Sequence, residues 1–119
     1  MNAPSLSARL AVCSWSLQAA TPQALIAAVR ATGLDRVQLD LDPLRESPDA
    51  WGSTPALLKD AGIEAVSGMF RTVAEDYTTR ETIRVTGGVG PDATWDPAFA
   101  SLAQRLRDVA DMCAAEEIQ

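Results

Sequence analysis

Three times along this chain a short, apolar, β-rich run is followed by a hydroxyl or acidic residue, a proline and a helical pattern. The first run is Leu10 to Leu17, after which Thr21-Pro22 opens TPQALIAAVRATG. Threonine accepts from the free N–H groups of a first helical turn, and proline fits position N1, where its missing N–H would be unpaired anyway. Leu25, Ile26 and Val29 fall on one face, and Gly33 is placed to stop the helix because it accepts positive φ without penalty. The second run is Arg36 to Leu41, with Val37, Leu39 and Leu41 on one face and Gln38 and Asp40 on the other. Asp42-Pro43 breaks it, LRESPDAWGS reads as a loop, and Ser53-Thr54-Pro55 opens a second helix through Leu57 and Leu58 to Gly62.

The third run is Ile63 to Phe70. A long loop follows, from about Arg71 to Thr94, with a short helical turn around Thr79 to Arg84. Asp96-Pro97 then reads as the entry to a third helix, whose face is Leu102, Leu106, Val109 and Met112-Cys113. Strand and helix patterns in strict alternation predict a parallel sheet with right-handed crossovers. The fold class is therefore α/β, read as the first three βα units of a (β/α)8 barrel. At 119 residues the chain is well short of the roughly 250 of a complete barrel. Residues 1–119 read as the N-terminal part of a single domain. An open barrel leaves inward side chains wet and two sheet edges unpaired, which predicts self-association through those edges.

Composition removes whole classes of function. The net charge is -6 and no basic run offsets it, which speaks against a nucleic-acid partner. No stretch of 18 apolar residues predicts a membrane span, and the first residues lack a signal-peptide pattern. Cys13 and Cys113 are isolated, as expected of free thiols in a reducing cytoplasm. There is no histidine, so a Ser-His-Asp triad, a Cys-His pair and any histidine-containing zinc site are excluded. The segment TGGVGPD lacks the GxxxxGK[ST] pattern of a phosphate loop.

Three segments together resemble the xylose-isomerase-like barrel family of sugar phosphate isomerases and epimerases. They are AVCSWSL running into TPQALIAAVRATGLDRVQLDLDPL, then LLKDAGIEAVSGMF, then EDYTTRETIRVTGGVGPDATWDPAFASLAQRLRDVADMCAAEEI. The family shows the same order: a small-aromatic-small end to strand one, a G-h-x-x-h-Q/E-h second strand, and an aGI-type entry to strand three. The resemblance implies isomerase or epimerase chemistry on a sugar or sugar phosphate. It also implies a divalent metal held by carboxylates and a histidine from later strands of the complete fold. No catalytic residue and no metal ligand is carried over to this chain, which on this reading is inactive alone. The alternative is a non-catalytic half-barrel that assembles with itself or another chain.

Barrel sites lie at the C-terminal ends of strands. The expected substrate contacts are Trp15, Gln38 and Asp40. Trp15 would stack on a sugar ring, or simply pack at the barrel rim. Gln38 can donate to and accept from sugar hydroxyls and Asp40 can accept from them; both would serve equally as a structural hydrogen-bond layer. Asp40 with Asp42 is a weak cation pair, lacking a third ligand. Arg71 and Tyr77 sit in the long third loop, which is placed to fold over the barrel mouth; Arg71 there is either a phosphate contact or a solvated surface group.

Overall fold

The computed structural model describes residues 5–71, 75–87 and 92–118, with the backbone alone over 92–103. A 3-10 turn at Ser7–Arg9 leads into strand β1 (Val12–Cys13), helix α1 (Ser14–Leu17) and helix α2 (Pro22–Ala31). Strand β2 (Arg36–Asp40) follows, then three helices, α3 (Asp42–Glu46), α4 (Pro48–Trp51) and α5 (Thr54–Asp60). Strand β3 (Glu64–Met69), helix α6 (Arg80–Thr86) and helix α7 (Asp92–Ala115) complete the order. The three strands form one parallel sheet in the order β1-β2-β3. This is the alternating, parallel α/β arrangement expected from the sequence, and the sheet is open.

The register explains which face is covered. Val12 lies opposite Val37, Cys13 opposite Gln38, Leu39 opposite Gly68 and Asp40 opposite Met69. Partners jump from Ala65 to Ser67 between Val37 and Gln38, so Val66 is the extra residue of a bulge. Val37 and Leu39 are buried with Leu25 and Val29 of α2 and Leu58 of α5, which forms the core on the helical side. α7 closes on the same side: a Cβ added at Gly68 would meet Leu41 Cδ1 at 2.5 Å and Cys113 Sγ at 3.1 Å. On the other face Cys13, Gln38, Ser67 and Met69 are only half-buried, and the Cys13 thiol touches the Met69 sulfur at 3.3 Å.

The helix signals act as their chemistry dictates. Thr21 Oγ1 accepts from Ala24 N at 3.1 Å, and Gly33 and Gly62 both take positive φ after their helices. Thr79 and Thr82 form a reciprocal capping box at the start of α6, and the helix runs to Thr86, two residues past the expected Arg84.

Four expectations are corrected. The first strand is two residues long, because Ser14 turns into α1 and its Oγ, rather than a strand carbonyl, accepts the Asp40 N–H at 2.8 Å. The segment 44–53 holds α3 and α4 instead of a loop, each with a proline in its first two positions. α7 begins at Asp92, so the Asp96-Pro97 signal lies inside it. Leu106 is 49% exposed and is not part of the buried face formed by Val109, Met112 and Cys113. Residues 88–91 of the glycine-rich segment and the Leu102 side chain lie outside the described residues.

Candidate functional site

A cavity of about 230 Å³ opens at the C-terminal ends of β1 and β2. Its polar lining is Ser14, Gln18, Asp40 and Arg71, and its aromatic lining is Trp15 and Trp51. Parallel strands of an α/β sheet end where ligands bind, since the loops there are free to vary over a rigid base. Ser14 is fixed by accepting the Asp40 N–H, which leaves its own hydroxyl hydrogen able to donate into the cavity. Gln18 ends α1 in the left-handed region at φ 50, and its amide donates back to the Trp15 carbonyl. Trp51 ends α4, anchored by the buried Thr54 hydroxyl, which donates to the Trp51 carbonyl. Tyr77 meets Trp15 edge-on with ring centroids 5.5 Å apart, so the long third loop returns to the mouth of the cavity.

Of the three expected contacts, Trp15 and Asp40 line this cavity and Gln38 does not. Gln38 sits mid-strand between Cys13 and Ser67, on the half-buried face. Asp40 shares that parity in sequence but is the last strand residue. Its Oδ1 accepts from Asp42 N at 3.1 Å, which folds the carboxylate over the strand end. Burial is the main influence on this carboxyl and pushes its pKa up; the neighbouring Asp42 carboxylate adds to that, against the Asp42 N–H bond.

The dominant electrostatic feature is Asp42, which is 1% exposed. Arg105 donates to its Oδ1 at 3.0 Å, with Arg45 at 3.6 Å from the same oxygen. Its Oδ2 accepts from the Arg71 backbone N–H at 3.0 Å and lies 3.5 Å from Arg71 Nε. Burial alone would raise this carboxyl, but the Arg71 N–H and the Arg105 guanidinium outweigh it and hold the pKa below 3.8. One side chain thus ties the end of β2 to the end of β3 and to α7. Aspartate in the first turn of a helix is legible in sequence; Arg105, far along the chain, carries no signal for the pairing.

This geometry does not fit a divalent metal. Both Asp42 oxygens are occupied by guanidinium or backbone N–H groups, and Asp40 is turned to the Asp42 N–H. Among the described residues no group of three or more His, Cys, Asp or Glu side chains converges to hold a metal ion, and no helix is long and apolar enough to cross a membrane. Comparison of the chain with family models, with curated proteins and with solved structures finds no match.

Proposed function

We propose that this chain is the first three βα units of a xylose-isomerase-like (β/α)8 barrel, and that the cavity at its strand ends receives a sugar or sugar phosphate. In this reading the complete fold is a metal-dependent isomerase or epimerase, with the metal and proton-transfer groups on other strands. The chain at hand supplies substrate contacts and no catalytic residue. The observation that carries the reading is the cavity itself: two indoles with Ser14, Gln18, Asp40 and Arg71, at the C-terminal ends of parallel strands. Indoles offer an apolar body to the C–H face of a sugar, while hydroxyl, amide and carboxylate groups match its alternating donors and acceptors. The cavity is smaller than the roughly 300 Å³ at which drug-sized sites begin, which suits a single small polyol.

Thermal unfolding of the chain against a panel of ketoses and aldoses tests this. A saturable rise in Tm that Trp15→Ala abolishes supports the reading, and no rise with any sugar removes it. The second reading, a half-barrel assembling with a copy of itself, is favoured by the open edge of β3 and the half-buried face around Gln38 and Met69. It requires a discrete oligomer by light scattering; a well-folded monomer argues against it.

A further inference from the structure

Aromatic rings are concentrated at this cavity. Trp15 and Trp51 line it, and Tyr77 adjoins Trp15 with ring centroids 5.5 Å apart and planes inclined at 62°. Rings so inclined make adjoining walls rather than a parallel stack. The whole chain has three Trp, one Tyr and two Phe, so half of its aromatic side chains meet here. The charge at the mouth leans negative. Arg45, Arg71 and Arg105 gather on Asp42, and Glu46 lies 3.0 Å from Arg45. Asp40 lines the cavity beside them, and Glu75 accepts from the Tyr77 hydroxyl. Among the described residues, four carboxylates thus stand against three guanidinium groups. Arg71 is the one cation of the lining. Its backbone N–H and its Nε are turned to Asp42, so its charge is balanced there. Asp40 is different: among the described residues it takes part in no ion pair, and while Oδ1 accepts from Asp42 N, Oδ2 has no hydrogen-bond partner.

We infer that this cavity binds a small organic cation, an alkylammonium or quaternary ammonium group, against the rings of Trp15, Trp51 and Tyr77 with the Asp40 carboxylate as its counter-charge. The inference stands apart from the sugar reading and uses the same walls. The face of an aromatic ring attracts a cation, indole most strongly, and several rings around one acidic group suit a charged centre that has few or no N–H groups to satisfy. A buried carboxylate without an ion-pair partner is costly, and burial already pushes the Asp40 carboxyl up; a cation beside Oδ2 would offset both. Arg71 is the opposing group, and its engagement with Asp42 limits that opposition.

The test is calorimetric titration of the whole chain with choline and with 3,3-dimethyl-1-butanol, the neutral isostere in which a quaternary carbon replaces the charged nitrogen. Choline should bind saturably and about 3- to 30-fold tighter than the isostere, the ratio expected when a cation meets aromatic faces. Trp15→Leu keeps apolar bulk without the ring, and Asp40→Asn removes the counter-charge; each should narrow the preference for choline. No choline binding, or equal affinity for the two compounds in wild type, overturns the inference. A preference that survives both substitutions also overturns it, since the cation then sits elsewhere. D-fructose in the same series keeps the two readings apart. Fructose bound without choline removes the inference and leaves the sugar site standing, whereas choline bound without fructose supports the inference and removes the sugar reading. Wild-type protein decides should a variant misfold: nuclear Overhauser effects from the choline methyl protons should reach the ring protons of Trp15 and Trp51, and effects confined to other side chains overturn the assignment.

Discussion

Replacing Asp42 by asparagine isolates the charge at the centre of the arginine cluster with little change in volume. Two hydrogen bonds at 3.0 Å, from Arg71 N and Arg105, end on this buried carboxylate. Hydrogen bonds to a charged group contribute about 1.5–3 kcal/mol each. Asparagine retains one acceptor but turns an N–H₂ towards a guanidinium or a backbone N–H. The arginines can partly recover by turning to water, since their side chains are 16 to 46% exposed. Removing one partner of a buried ion pair costs about 3–5 kcal/mol; discounted for that exposure, Asp42→Asn should cost about 2–4 kcal/mol. Against the typical total of about 5–15 kcal/mol this is a large fraction. In urea, with m near 2 kcal/mol/M, the midpoint should fall by about 1–2 M. Circular dichroism through the transition measures it. A midpoint unchanged within error would refute the claim that this carboxylate holds the ends of β2, β3 and α7 together.

Other expectations follow from the same packing. Gly68→Ala places a Cβ against the buried Leu41 and against Cys113 and should cost about 1–3 kcal/mol by overpacking, read as a lower Tm. Thr21→Ala removes the acceptor for the Ala24 N–H and should cost about 1 kcal/mol, measured by urea unfolding. The two carboxylates should act oppositely on stability as pH falls. Asp40 is raised by burial, so its ionised form opposes folding; protonation as pH falls towards 3.8 should relieve that, and Asp40→Asn should remove the gain. Asp42 is held below 3.8, so its contribution is present above that pH and is lost as pH falls through its depressed folded value. Stability titrated from pH 7 to 2 should therefore show a smaller acid-side drop in Asp42→Asn than in the wild type.

The alternation of strand and capped helix was legible because each signal is local. Thr21, Pro22 and Gly33 act within one or two turns, and the period-2 pattern of Val37 and Leu39 against Gln38 needs no knowledge of partners. The same proline rule applied at Pro43 and Pro48 would have exposed α3 and α4, which hide in a segment too short for helical periodicity to show. The early end of β1 was not legible, since it depends on Ser14 meeting the Asp40 N–H, a contact between residues far apart in sequence. Leu106 shows the limit of periodicity: spacing assigns it to the apolar stripe of α7, but it stays 49% exposed, because the described residues do not pack over that part of the helix. In the site, Trp15 and Asp40 followed from their position at strand ends. Gln38 was expected beside Asp40 by parity, which loses its force where the strand stops and the Asp40 carboxylate folds over. Gln18 and Trp51 reach the cavity through a left-handed residue and a four-residue helix, neither of which hydrophobic pattern can place.

The central claim is that the cavity between α1, β2 and α4 receives a small sugar. Its most direct test is an NMR titration of the isotopically labelled chain with D-fructose and D-fructose 6-phosphate. The account expects saturable shifts at the indole N–H of Trp15 and Trp51 and at the Gln18 side-chain amide, with the Val109 and Met112 amides of α7 undisturbed. Saturable shifts confined to other parts of the chain, or none at these three groups with either ligand, would contradict it.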